Sequence, residues 1–100
     1  ATAALWFRMA ANQGHIGAQY RLAQMYKYGL GVVQYYKMAV EWYRKAADQG
    51  HAEAQADLGW MYENGRGVAE EMNKAAEWYR KAASQGNQWA KDNLKRLGKE

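Results

Sequence analysis

An all-α solenoid of antiparallel helix pairs, about six helices on a 36-residue period, is the fold class that this chain of 100 residues predicts. Three observations carry that expectation. One segment recurs three times, as Trp6-Phe7-Arg8-Met9-Ala10-Ala11-Asn12-Gln13-Gly14, Trp42-Tyr43-Arg44-Lys45-Ala46-Ala47-Asp48-Gln49-Gly50 and Trp78-Tyr79-Arg80-Lys81-Ala82-Ala83-Ser84-Gln85-Gly86. A fixed period of this size marks units that bury their apolar faces only against neighbouring units. Within each copy the apolar residues fall at the i, i+3, i+4 spacing of a helix stripe. Glycines punctuate the stripes, and no proline occurs anywhere.

The elements follow in order. The first helix is expected over 2–13 and is short, because the chain begins inside a repeat. Gly14 ends it, as Gly50 and Gly86 end its later copies, where a helix C-terminus turns left-handed at no steric cost to glycine. The second helix, 17–28, buries Ala18, Leu22, Met25 and Tyr26. Gly29-Leu30-Gly31 then turns the chain into the next unit, whose Val32 is the first apolar anchor. The third helix, 34–48, carries Val40, Tyr43, Ala46 and Ala47 on one side and Glu41, Arg44, Lys45 and Asp48 on the wet side. The fourth, 53–64, repeats the second with Ala54, Leu58, Met61 and Tyr62. Gly65-Arg66-Gly67 and Val68 repeat the turn, the fifth helix spans 70–84, and the sixth spans 88–98 on Ala90, Leu94 and Leu97. Here Arg96-Leu97-Gly98 replaces Trp60-Met61-Tyr62 among Lys91, Lys95 and Lys99, the polar outer face of a solenoid cap. The chain reads as one repeat domain, 1–100: repeat 1 about 1–31, repeat 2 about 32–67, and repeat 3 with its cap about 68–100.

Composition excludes several kinds of chemistry. Without cysteine there is no disulfide, thiol nucleophile or thiolate metal site. No apolar run approaches the roughly 18 residues that span a bilayer, and the N-terminus lacks a signal-peptide layout. The expectation is a soluble chain that does not engage a membrane. The net charge of +4 is concentrated. Arg8, Arg21, Lys27 and Lys37 precede the first acidic residue, Glu41, whereas the charges beyond cancel.

The string from Glu41 to Val68, Glu-Trp-Tyr-Arg-Lys-Ala-Ala-x-Gln-Gly-His-Ala-x-Ala-Gln-x-x-Leu-Gly-x-Met-Tyr-x-x-Gly-x-Gly-Val, resembles the Sel-one-like repeat, a relative of the tetratricopeptide repeat. The resemblance covers essentially the whole chain. It implies an all-helical right-handed superhelix and a non-enzymatic role, that of an adaptor or scaffold binding other proteins. Val33 and Ala69 stand where the family usually places a proline. The cysteine pair that secreted members often carry in each repeat is missing, which argues against a secreted origin.

Catalysis finds little support. His15 and His51 share one repeat position with Asn87, and the three have in common the ability to hydrogen-bond at a helix start. The glycine pairs lack the strand before and the Lys-Ser/Thr after that a phosphate loop needs. Glu70 and Glu71 offset a helix dipole, and Ser84 has no base placed to activate it. No catalytic residue, metal or cofactor is expected. Four basic residues spread over the first 40 positions are too sparse for nucleic acid.

Departures from the repeat are more informative. Repeat 3 has Glu71, Lys74, Glu77 and Lys81 along a solvated helix row. Repeat 2 places Tyr35 and Met38 at the first two of those positions, and repeat 1 places Leu5 and Met9 at the last two. Leu30 for Arg66, Tyr28 for Asn64, Tyr20 for Ala56 and Ile16 for Ala52 point the same way. The polar copies indicate that the fold does not require apolar residues there, and a contiguous exposed apolar patch marks an interaction site. Leu5, Met9, Tyr35, Met38, Leu30, Tyr28, Tyr20 and Ile16, with Lys37 in a basic rim, are therefore the expected binding residues. Their partner is another protein or peptide with an apolar, acidic-rimmed surface. An engineered binder on a near-consensus scaffold, a fragment of a natural bacterial adaptor, and a homodimer pairing through this row are alternatives that give the same pattern.

Overall fold

Six helices follow one another in a computed structural model that describes residues 2–99: α1 Thr2–Asn12, α2 Ile16–Tyr28, α3 Tyr36–Asp48, α4 Ala52–Asn64, α5 Met72–Ser84 and α6 Gln88–Leu97. No strand occurs among the described residues. Each helix packs chiefly on the next in sequence. The array extends 42 Å along its long axis and 16 Å along its short one. Such nearest-neighbour packing is what a solenoid consists of.

The expected stripes make the core. Leu22, Tyr43, Leu58, Met61 and Tyr79 are fully enclosed, with Ala39, Ala46, Ala54, Ala75, Ala82 and Ala90 between them. Alanine at these points lets helix axes approach closely. At Gly59 even alanine is too large, because a Cβ would stand 3.0 Å from the Tyr79 ring and 3.1 Å from the Ala75 carbonyl. A glutamine ladder, its Gln19 and Gln55 buried and its Gln49 and Gln85 exposed, crosses the repeats. Gln19 and Gln55 donate to the carbonyls of Ala11 and Ala47, at 3.2 and 3.1 Å. Gln49 and Gln85, one unit further on, donate to the Oε1 atoms of Gln19 and Gln55, at 2.8 and 2.9 Å.

Two helix starts differ from expectation. α3 and α5 begin at Tyr36 and Met72, two residues later than 34 and 70. Tyr35 and Glu71 are extended N-cap residues, with φ −154° and −145°. Their N–H groups donate to the Tyr26 and Tyr62 carbonyls of the preceding helix, at 2.9 and 3.0 Å. That bond satisfies a carbonyl the ending helix leaves orphaned, and it holds the approach segment straight. In the second of these turns Gly67, at φ 75°, passes so near α3 that a Cβ would lie 2.5 Å from the Tyr36 carbonyl oxygen.

Candidate functional site

The expected binding residues occupy distinct environments. Leu5, Met9, Tyr28, Leu30 and Tyr35 are exposed, as is Lys37. Met38, Ile16 and Tyr20 are half-buried and packed on the core. Leu5 shares a cleft of about 230 Å³ with Ala4, Arg8 and the Gly31-Val32 turn. Met9 lies in another, of about 380 Å³, with Trp6, Phe7, Ala10, Gln13, His15 and Ala18. Tyr35 is at the mouth of α3 rather than within it, so it stands off the helical row that holds Met38. Tyr20 is turned inward, its ring 4.6 Å from His51 and 5.9 Å from Tyr43.

Trp6 is the exposed residue that the repeat pattern conceals. Its copy Trp42 is 8% exposed, whereas Trp6 is 64% exposed and meets Phe7 edge-on at 5.3 Å. Identity of residue does not give identity of environment.

The basic rim differs from the expected set of four uncompensated charges. Lys27 is buried and faces Asp57 of the next repeat at 3.9 Å, with its ammonium 4.3 Å from the Trp60 ring centroid and 5.0 Å from that of Tyr28. Burial draws Lys27 into this pairing because an isolated charge there would be strongly disfavoured. Burial also raises the pKa of Asp57, against the attraction of Lys27 and a hydrogen bond from Tyr20. Arg8 donates to the Tyr26 hydroxyl, as Arg44 does to Tyr62. Arg21 and Lys37 remain exposed.

Around Lys27 and Asp57 lies a cleft of about 450 Å³, completed by Tyr28, Gln34, Tyr36, Trp60 and Trp89. Its walls come from the second helices α2, α4 and α6, the turn before α3, and the first residue of α3. Only Tyr28 belongs to the expected set. The cleft had a signal in the repeat alignment, since Lys27, Asp57 and Trp60 answer to Glu63, Asn93 and Arg96, and Trp89 to Glu53.

The helix-start role of His51 and Asn87 is present. His51 Nδ1 accepts from the Ala54 N–H at 3.1 Å, and Asn87 Oδ1 from that of Ala90 at 2.8 Å. His15 takes the same backbone position but makes no side-chain cap bond. Tyr20 stacks against His51 from the unit before, and His15 has no such ring behind it. Among the described residues no cluster of three or more His, Cys, Asp or Glu is placed to hold a metal. None of the described helices is long and apolar enough to cross a membrane.

Helix pairs repeated at 36 residues, with alanine contacts and a capping His or Asn, define a tetratricopeptide-like α-solenoid. The Sel1 repeat pattern matches residues 1–15, 16–51 and 52–87, and the chain belongs to that family. Among solved structures it is similar to a Sel1 repeat protein from Oxalobacter formigenes, at 46% identity and TM-score 0.88 over 91% of this chain and 68% of that one. It is also similar to a protective antigen of uropathogenic Escherichia coli strains, at 44% identity and TM-score 0.87. That match covers 89% of this chain but only 19% of the E. coli chain. Helicobacter pylori cysteine-rich protein B is similar in fold alone, at 22% identity and TM-score 0.85 over 91% of this chain and 68% of that one. No curated protein sequence matches the chain. Sel1 repeat proteins are, as a family, protein-interaction modules and generally not enzymes.

Proposed function

We propose that this chain binds a partner protein or peptide through the exposed apolar and aromatic surface of its first two repeats, centred on Leu5, Met9, Leu30 and Tyr35. One observation carries the reading. Of the nine large hydrophobic residues exposed among the described ones, seven lie between Leu5 and Tyr35, and only Met72 and Trp89 lie beyond. Val33, at 87% exposure, lies between Leu30 and Tyr35 in sequence. Exposed apolar surface concentrated in one part of a chain marks an interface. The uncompensated positive charge of the same segment, Arg21 and Lys37 with Arg8, suits a partner with acidic surroundings. Tyr28, Met38, Ile16 and Tyr20 flank this centre, the last three supporting it from the core side.

A variant carrying Leu5→Glu, Met9→Lys, Leu30→Arg and Tyr35→Glu tests the site. Each new residue is the one a later repeat uses at the equivalent position, so the fold tolerates it. Peptides selected from a displayed library against the parent chain should lose binding to this variant. Equal binding by both chains would place the site elsewhere. Light scattering decides between a foreign partner and a second copy, since a parent dimer that becomes monomeric in the variant assigns the surface to self-association.

A further inference from the structure

We propose that the cleft around Lys27 and Asp57 is a binding site for a neutral sugar ring with neighbouring free hydroxyls. It lies on the second-helix side of the array and shares only Tyr28 with the surface proposed above. The polar groups at its base are incompletely used. Lys27, nine-tenths buried, holds its ammonium 3.9 Å from Asp57 Oδ1, beyond hydrogen-bond distance, and donates no hydrogen bond among the described residues. Nearby, the Tyr43 hydroxyl is buried with no partner.

The next repeat shows how this place looks when closed. There the equivalent residues bond one another directly: Arg96 donates to Glu63, and Tyr79 donates to Glu63 at 2.8 Å. Arg96 also donates to Asn93 at 2.8 Å. In the first copy Lys27, Trp60 and Asp57 replace Glu63, Arg96 and Asn93, while Tyr43 keeps the tyrosine of Tyr79 and loses its carboxylate partner. Tyr28 and Tyr36 likewise replace Asn64 and Met72. The substitutions open a cleft and line it with rings.

The chemistry of the lining selects the ligand. Lys27 and Asp57 sum to zero charge, so a charged ligand would add an uncompensated charge to a half-enclosed site. A neutral ligand must offer an acceptor to Lys27 and a donor to Asp57 side by side. One hydroxyl is both donor and acceptor, and two on adjacent ring carbons sit close enough to serve both groups together. A peptide unit does not do this, because its N–H and C=O point in opposite directions across a trans amide. The C–H face of a sugar ring then rests on aromatic surface, for which Trp89 and Tyr28 stand exposed at the cleft rim. A volume of about 450 Å³ accommodates a ring of that size.

The fluorescently labelled chain, applied to an array of neutral oligosaccharides, should be retained by at least one of them. Titration of that oligosaccharide against tryptophan fluorescence then gives the affinity. Trp89→Glu, which installs the residue of the preceding repeat at an exposed position, should weaken binding at least about tenfold. The triple variant Lys27→Glu, Asp57→Asn, Trp60→Arg reproduces the closed arrangement of the next repeat and should lose the same affinity. The Leu5, Met9, Leu30 and Tyr35 variant should keep it, which separates this site from the protein-binding surface. Retention of no neutral oligosaccharide would overturn the proposal, and so would binding that survives both Trp89→Glu and the triple variant.

Discussion

Gln55 illustrates how much one polar side chain contributes to a repeat. It donates to the Ala47 carbonyl within its own unit and accepts from Gln85 of the next, so it ties three helices while nearly fully buried. Gln55→Ala should lower unfolding free energy by about 1 to 3 kcal/mol in urea titration, since two hydrogen bonds and the packing of a buried side chain are lost together. Gln85→Ala, at an exposed position, should lose less. Asp57 gives a pH signature. Its folded-state pKa is raised by burial, so the unfolded chain is the stronger acid at this group. The stability contributed by Asp57 is therefore fully present below its unfolded pKa and lost as pH rises through the folded one. Relative to Asp57→Asn, the parent chain should gain stability between neutral pH and about pH 4. An unchanged difference between the two chains across that range would show that Asp57 titrates normally. The glutamines were visible in the repeat string, but their role was not. Periodicity reports that a residue recurs, and a hydrogen bond across 30 residues requires the stacking of units.

At the scale of elements, capping and turns decide where helices begin. His51→Ala should cost about 1 kcal/mol, the worth of an N-cap acceptor, whereas His15→Ala should leave the thermal midpoint nearly unchanged. The same residue at the same repeat position thus predicts two outcomes, because only His51 makes the side-chain cap bond. Gly67→Ala combines a left-handed backbone with a Cβ 2.5 Å from the Tyr36 carbonyl oxygen. A loss of at least about 2 kcal/mol is expected by thermal or urea unfolding. Helix existence was legible from the stripes Val40, Tyr43, Ala46, Ala47 and Ala54, Leu58, Met61, Tyr62. The late starts at Tyr36 and Met72 were not, because the extension of Tyr35 and Glu71 is fixed by a carbonyl of the preceding helix rather than by any local residue preference.

Across the whole molecule, stability is distributed over neighbouring helix pairs, and the surface can change without the core. The Leu5→Glu, Met9→Lys, Leu30→Arg, Tyr35→Glu variant should keep its unfolding free energy within about 0.5 kcal/mol per substitution, as exposed positions do. A collapse of the fold on urea titration would mean that these side chains are structural. Met38→Lys is a poorer probe, because Met38 packs on the core although its repeat-3 copy is an exposed lysine. The candidate protein-binding surface was legible as a set of exceptions to the repeat. Exceptions alone did not sort the exposed Leu5, Met9, Leu30 and Tyr35 from the half-buried Met38, Tyr20 and Ile16.

The sequence by itself determined the period, the six helices, the left-handed glycines Gly14, Gly50 and Gly86, and the family. Each of these is written locally, in stripes, caps and turn residues repeated at one spacing. Tertiary structure alone decided which copies of a residue are covered. It set Trp6 in solvent and Trp42 in the core, and it gave Lys27 an acidic neighbour 30 positions away. The physical reason is that burial and charge pairing in a solenoid belong to the contact between adjacent units. The residues that meet there are close in space and distant along the chain.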